Sequence, residues 1–256
     1  MFNVENMIIT TSIVIYNEDK NTLKRVIENI GSLKYDIELI IIDNSPINKL
    51  KGLCEAYTYV NYIYSDTNLG FGRAHNLAFT YLTLPSAIHL VINPDIYFEI
   101  KELEGFIDWF IETQDISLSL PQILNEDATV QNVVRHIPTP IALLKRKLKI
   151  DEDEIIVKEN TILDIPFAHG CFMAFKRECF QKINGFDENF FLYMEDVDIF
   201  VRAKECGRTV INTNYSIYHE HRKGSSKSLK LLMYHLSSAI RFFWKYKYKN
   251  HAKISS

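Results

Sequence analysis

Apolar positions in the first half of the chain alternate between strand-like runs and helical stretches. Ile8–Ile15 is rich in β-branched residues, and Lys20–Ile30 follows as a predicted helix. Ile37–Ile42 is continuously apolar and ends at Asp43, and Val60–Tyr64 and Ile88–Ile92 read as two more strands. Helices are predicted at Phe71–Leu82 and Lys101–Thr113. Periodicity alone does not separate short apolar runs from buried helix, but length and β-branched content favour strands. Apolar strands separated by helices predict a parallel α/β sheet covered on both faces. Polar residues follow three of these strands: Tyr16-Asn17-Glu18, Asp43-Asn44-Ser45 and Asn93-Pro94-Asp95. In an open α/β sheet the ligand crevice lies at those carboxyl ends.

The middle of the chain breaks this pattern. From Pro138 to Glu159 it holds two prolines, a basic stretch at Lys145–Lys149 and an acidic one at Asp151–Glu154. It reads either as an insertion or mobile loop near an acceptor, or as a plain solvated loop. A strand is then predicted at Phe172–Phe175, with a short helix to Lys182. Another helix is expected to begin near Asp196 and stop at Gly207, a C′ glycine. Val210–Ile211 and Ser216–Tyr218 read as short strands, and Ser228–Tyr246 as a long amphipathic helix.

Composition narrows the class. The 256 residues, 47% hydrophobic and 24% charged, suffice for one well-buried α/β domain. Cys54, Cys171, Cys179 and Cys206 form no CxxC pair and read as free thiols of a reducing compartment. Met1–Tyr16 has no basic region or cleavage site, and its apolar run is too short to cross a bilayer, so no signal peptide is expected. The net charge of −3 conceals an asymmetry. No acid follows Glu220, whereas nine Lys and Arg do, so residues 1–220 carry a formal −12. A basic tail on an acidic body invites an anionic partner.

Four segments carry candidate chemistry. Asn93-Pro94-Asp95 ends a buried strand and aims a carboxylate into the crevice. Such a group either shapes the turn or holds Mg2+ or Mn2+, which bind through one or two carboxylates plus substrate phosphates. In Tyr193-Met194-Glu195-Asp196-Val197-Asp198 three acids fall within four residues, which costs stability unless something compensates. Asp198 and Arg202 are spaced to pair on a helix. Glu195 and Asp196 stay at the helix start, where one can serve as general base and Asp196 can also cap the helix. His219-Glu220-His221, with Ser225-Ser226 behind, sets two imidazoles on one face of an extended segment, suited to metal or pyrophosphate contact. A lone histidine there would be structural by default. Asn68-Leu69-Gly70-Phe71-Gly72-Arg73-Ala74-His75-Asn76 opens a helix with two glycines that let backbone approach a ligand. It is not a dinucleotide fingerprint, because it follows the third strand and lacks the third glycine.

Together these segments resemble the inverting family 2 glycosyltransferases of GT-A fold, most closely their rhamnosyltransferase-like branch, from about Ile8 to Ser226. The most specific stretch runs from Asn184-Gly185-Phe186-Asp187-Glu188 through Phe190–Asp198 to Arg202. It is similar to the family's GGFDExFFxYxEDxDLxxR pattern, and Asn68–Asn76 resembles its NxGFGxxxN motif. The resemblance implies a Rossmann-like, mostly parallel sheet with helices on both faces, plus the C-terminal amphipathic helix. Its expected domains are a glycosyltransferase domain at 1–226, with a nucleotide-binding half at 1–115 and an acceptor-binding half at 116–226, and a basic tail at 227–256. Asp95 matches the last acid of the metal motif, and Asp196 matches the catalytic base, with Glu195 and Asp198 on the acceptor side. Asp43 matches the acid that holds the nucleoside, and Tyr16 and Glu18 line its base. Asn68, Gly70, Asn76 and Asn93 are expected along the nucleotide-sugar. His219 or His221 matches the late histidine that completes the Mg2+ or Mn2+ and diphosphate site. Asn93 stands for an acid, implying modest metal affinity. Asn184 stands for the first glycine of its turn, which bears on that turn's backbone.

The implied reaction is a single inverting displacement. Asp196 takes the proton of an acceptor hydroxyl, and a divalent ion neutralises the leaving diphosphate. By resemblance, dTDP-rhamnose is the first expectation for the donor and a growing, lipid-linked bacterial surface glycan for the acceptor. A UDP-linked hexose, N-acetylhexosamine or galactofuranose is the alternative donor. The tail, with Leu229, Leu231, Leu232, Leu236, Ile240, Phe243 and Trp244 on one helix face among lysines, suits the inner face of the cytoplasmic membrane, or else docks on the domain or a second subunit. A nucleotidyltransferase is disfavoured, since the loop Tyr16-Asn17-Glu18-Asp19 is acidic and lacks glycine. A non-catalytic assembly subunit would lack the base or metal acid, and both are present. Nucleic acid is not expected as a partner of so acidic a body.

Overall fold

The structure is a computed structural model that describes residues 7–147, 154–220 and 229–247. The first half contains β1 (Ile8–Ile15), α1 (Lys20–Gly31), β2 (Asp36–Asp43), the single turn α2 (Lys51–Cys54), β3 (Val60–Tyr64), α3 (Phe71–Thr80) and β4 (Ile88–Ile92). Next come β5 (Ile96–Tyr97), α4 (Ile100–Glu112), β6 (Ile116–Leu124), β7 (Val134–Arg135) and α5 (Pro140–Lys147). The chain closes with β8 (Ile162–Asp164), β9 (Phe167–Ala168), β10 (Phe172–Lys176), α6 (Arg177–Lys182), α7 (Glu195–Ala203), β11 (Arg208–His219) and α8 (Leu229–Tyr246).

The main sheet runs β3-β2-β1-β4-β10-β6-β11-β5, with β8 paired to β11. The first four strands are parallel, and β2 shows why its apolar run is continuous. Leu39 and Ile41 pack in the main core with Leu23, Val26 and Ile27 of α1. Ile40 and Ile42 face the other way, onto Ala74 and Ala78 of α3. Alternate side chains point to opposite faces, so a strand covered on both sides has no polar phase.

The second half is mixed rather than parallel. β10 pairs antiparallel with both β4 and β6, and β11 is parallel to β6 but antiparallel to β5 and β8. β6 had no counterpart among the predicted elements. Its sequence alternates Ile-Ser-Leu-Ser-Leu and then meets Pro121, a residue that counts against a central strand. Both serines are nevertheless buried, and Pro121 sits at Asn212 of β11, where the register shifts before Ser216. That irregularity divides β11, so the two short strands read from the sequence are one strand with a break.

The expected C′ glycine is also corrected. Helix α7 stops at Ala203 with Lys204 still right-handed. At Gly207 an added Cβ would lie 2.7 Å from the Asp115 carbonyl oxygen, so the glycine serves a close backbone crossing instead. In the middle segment, α5 is helical and Glu154 pairs with Arg135 at 2.6 Å. Residues 148–153 lie outside the description.

Candidate active site

Three strand ends and their loops form one edge of the sheet. After β1, Tyr16 is 53% exposed, and Asn17 adopts φ 52°, a left-handed conformation that asparagine tolerates. The Asn17 N–H donates to Ser45 Oγ at 2.8 Å, joining this loop to the one after β2. Glu18 accepts from the Asp19 N–H, and Asp19 caps α1 by accepting from the Asn21 and Thr22 N–H groups. Asp43 is buried, with Oδ1 accepting from the Ser45 N–H at 2.8 Å and Oδ2 from the Tyr62 hydroxyl at 2.6 Å. Asn44 continues the stitching by donating to the Gly70 carbonyl at 3.1 Å.

The loop after β4 carries the Asn-Pro-Asp sequence, and the sheet brings the late histidine to it. β5 pairs antiparallel with the end of β11, placing Ile96 opposite His219 and letting the Glu220 N–H donate to the Asp95 carbonyl at 3.0 Å. His219 Nε2 then lies 3.3 Å from Asp95 Oδ1, while Nδ1 meets Gln131 Oε1 at 2.8 Å. Asp95 Oδ1 is buried and has no hydrogen-bond partner. A buried, unpartnered carboxylate oxygen beside an imidazole nitrogen fits a divalent ion that takes its remaining ligands from phosphate and water. Among the described residues, no group of three or more His, Cys, Asp or Glu forms a metal cage. His221 lies outside the described residues. Asn93 donates its backbone N–H to the Cys171 carbonyl at 2.9 Å.

The two glycine-containing motifs interlock. Gly70 has φ 80°, and a Cβ there would lie 2.2 Å from the Phe191 carbonyl oxygen. A Cβ on Gly72 would meet Phe186 at 2.7 Å. Asn68 Oδ1 accepts from the Gly70 N–H at 2.9 Å. Asn76 grips the Phe186 backbone at both ends: Nδ2 donates to its carbonyl and Oδ1 accepts from its N–H, each at 2.8 Å. The glycines and Asn76 therefore hold the Asn184–Phe191 turn. Asn184 takes φ 56°, so the left-handed turn is kept without the first glycine. His75 of the same motif is a core residue, bonded through Nδ1 to Ser12 Oγ at 2.8 Å, and burial lowers its pKa well below the usual value.

Tyr193 and Met194 have φ 69° and 68°, two successive left-handed residues that turn the chain into α7. Such backbone is sparsely populated and persists where its surroundings over-determine it. Met194 is the N-cap, so Asp196 does not cap the helix; its Oδ1 accepts from the Val197 N–H at 2.8 Å. The three acids of this segment part company. Glu195 is buried with Oε2 unpartnered, and burial, then the Asp196 charge, raise its carboxyl well above the usual range. Asp198 is fully buried, bound by Arg202 Nε at 2.7 Å, Lys245 Nζ at 2.5 Å and the Tyr246 hydroxyl at 2.7 Å. The pairing with Arg202 expected from spacing is present. Glu195 and Asp198, expected on the acceptor side, are both buried. Asp196 keeps partial exposure, with Oδ2 3.7 Å from His169 Nδ1.

The Cys171 thiol links the two halves of the site. Burial pushes it up to about 12, with Asp95 and Asp196 both contributing. The charges of the strand-end acid and the α7 acid thus both act on one buried thiol. Sequence reasoning missed His169, Gln131 and Lys245. His169-Gly170 before β10 is a polar step ahead of a buried strand, which was the one visible signal.

Helix α8 has two faces. Ser238, Ala239, Phe242 and Tyr246 are buried, and Lys245 bridges Asp187 and Asp198. Leu232, Met233, Leu236, Ile240 and Trp244 are exposed, the last at 73%. An apolar groove of about 1280 Å³ opens between Ile240, Phe243 and Trp244 and the Ile137–Pro140 segment. None of Asp95, Asp196 or His219 lines it. No helix among the described residues is long and apolar enough to cross a membrane.

A sheet that is parallel at one end and mixed at the other, with a late histidine folded back on a strand-end acid, is the architecture of GT-A glycosyltransferases. The chain belongs to glycosyl transferase family 2, whose model matches residues 10–183. A model described as the N-terminal domain of galactosyltransferase matches residues 158–223. The chain is 26% identical over 245 residues to the rhamnosyltransferase WbbL of Escherichia coli K12, covering 90% of each protein. It is 20% identical to the N-acetylglucosaminyl-diphospho-decaprenol L-rhamnosyltransferase of Mycobacterium tuberculosis, covering 80% of this chain and 74% of that one. These relatives place it in the rhamnosyltransferase-like branch. Its fold matches GalNAc-T7 solved with UDP, GalNAc and Mn2+ at a TM-score of 0.66 and 16% identity, covering 86% of this chain but 44% of that longer protein.

Proposed function

We propose that this glycosyltransferase moves rhamnose from dTDP-rhamnose onto a hydroxyl of a growing, lipid-linked surface glycan with inversion of configuration. The observation that carries the reading is the approach of His219 Nε2 to Asp95 Oδ1 at 3.3 Å, with Asp196 near enough that its charge and that of Asp95 both act on Cys171. The names of the two rhamnosyltransferase relatives support the donor sugar, and the second supports a lipid diphosphate acceptor.

Each residue has a stated part. Tyr16 and Glu18 border the nucleoside base. Asp43, whose oxygens each accept one hydrogen bond and keep a second lone pair, holds the nucleoside end together. Asp95 and His219, with His221 as a further candidate, would hold Mg2+ or Mn2+, which when bound supplies charge neutralisation at the leaving diphosphate. The Asp196 carboxylate takes the proton of the acceptor hydroxyl as its oxygen attacks the anomeric carbon and the bond to the diphosphate breaks on the far side. A positioned general base contributes roughly 10²–10⁴ in rate. Glu195 is the lesser candidate for that role, because it is buried, and burial with the Asp196 charge raises its pKa.

The protein sits at the inner face of the membrane, held by the exposed apolar stripe of α8 with Lys230 and Arg241 along the helix and Lys247 just beyond its end. Calorimetric binding of dTDP and UDP, each with Mn2+ and with EDTA, tests the donor, followed by turnover of the matching sugars. Metal-dependent preference for dTDP supports rhamnose. Preference for UDP replaces it with a hexose, N-acetylhexosamine or galactofuranose. Binding of neither to folded protein leaves a non-catalytic assembly subunit. Asp196→Asn should abolish transfer with donor binding nearly intact, and wild-type turnover in that variant removes Asp196 from the role.

A further inference from the structure

We propose that His169 is a proton relay behind Asp196, taking from its carboxyl the proton that the acceptor hydroxyl gives up. The inference rests on the reading of Asp196 as the base. His169 follows β9 directly, and its backbone is fixed on both sides. The N–H donates to the Val133 carbonyl, and the carbonyl accepts from the Cys171 N–H, each at 3.0 Å. Gly170 brings this segment against α7: a Cβ there would lie 3.5 Å from the Asp196 Cβ. The imidazole is steadied by an edge contact with Phe167 at 6.2 Å between centroids.

The geometry assigns the two Asp196 oxygens different tasks. Oδ1 is taken by the Val197 N–H at 2.8 Å, whereas Oδ2 is 3.7 Å from His169 Nδ1. The His169 side chain is 43% exposed and that of Asp196 only 18%, so the imidazole leads from a mostly covered carboxylate to water. A neutral imidazole accepts at one nitrogen and releases from the other.

In the proposed step the acceptor O–H bond breaks and its oxygen bonds to the anomeric carbon. The electron pair of the bond to the diphosphate leaves with the diphosphate. The proton passes to Asp196 Oδ2, then to His169 Nδ1, and Nε2 releases a proton to water. Asp196 is restored as a carboxylate and His169 as a neutral ring, with no other reactant consumed.

His169 is a positioning residue, because it acts through Asp196, and its test is kinetic. Transfer is followed as nucleoside diphosphate release under donor saturation, in wild type, His169→Ala and His169→Gln, with and without added imidazole. The expected result is a fall in kcat of about tenfold or more in both variants, within the range of proton-transfer contributions. Donor KM should stay within about twofold. Imidazole should restore His169→Ala in part, with substituted imidazoles ranking by basicity, and should leave His169→Gln, whose side chain fills the space, unrestored. A kcat unchanged in His169→Gln overturns the relay while Asp196→Asn still tests the base. A loss in His169→Ala that imidazole does not lift also overturns it, showing a purely structural role. Full turnover in Asp196→Asn removes the base reading and the relay together.

Discussion

Asp198→Asn separates a structural from a catalytic reading of the acidic segment. Asp198 has no exposed side-chain surface and binds two cations and a phenol from two different helices. Arg202 also donates to the carbonyls of Ile183 and Gly185, and Lys245 also reaches Asp187. One carboxylate thus ties α7, α8 and the Asn184–Phe191 turn into one unit. Removing one partner of a buried pair costs about 3–5 kcal/mol, because the other charge is left uncompensated. For a chain of this length each kcal/mol lowers Tm by roughly 2–4 °C, so a fall of about 6–20 °C is expected. Differential scanning calorimetry measures it, and urea titration supplies the free energy. A double-mutant cycle with Lys245→Met should show coupling of about 1–3 kcal/mol. Well below the lowered Tm, donor affinity should match wild type. A Tm within about 2 °C of wild type, together with lost acceptor affinity, would refute this and return Asp198 to the acceptor side.

Three further outcomes are expected. Glu195→Gln should stabilise the protein at neutral pH: a folded pKa above the unfolded value means the folded state binds the extra proton, so wild-type stability falls as pH rises from about 4.5. The variant's Tm advantage, measured across pH, should vanish near pH 4, and an advantage independent of pH would contradict the assignment. Gly70→Ala should cost at least about 1–2 kcal/mol from its left-handed backbone alone, with the Phe191 contact adding to it; a urea midpoint equal to wild type would show that the two motifs do not interlock. Leu236→Ser with Trp244→Ser should cut binding to anionic vesicles about thirtyfold, from roughly 2 kcal/mol of lost apolar burial, with Tm unchanged, since both side chains are exposed. Undiminished flotation with the vesicles would discard the membrane role of α8.

The sequence by itself determined the first half of the fold and the chemistry-bearing segments. β-branched and apolar runs placed β1, β3 and β4 at their observed bounds, because β1 and β4 are buried central strands whose few polar residues, Thr10, Thr11, Ser12 and His89, are buried with them, and edge strand β3 is short and bounded by turns. The Asp198–Arg202 pair was legible too, because i,i+4 spacing is local. What needed tertiary structure was whatever depends on partners distant along the chain. β6 was hidden because its serines are buried rather than solvated, Ser117 donating to the Ala203 carbonyl at 2.9 Å, and a serine's solvent can be a protein carbonyl that no window of sequence contains. Asn68–Asn76 reads as a ligand loop, and only the fold shows the turn that Gly70, Gly72 and Asn76 hold. Three neighbouring acids look alike in sequence, and only the fold buries Glu195 with a raised pKa, binds Asp198 with two cations and a phenol, and leaves Asp196 partly exposed. Local spacing fixes which side chains can meet within an element, while charge state and exposure follow from desolvation and field, which are properties of the assembled fold.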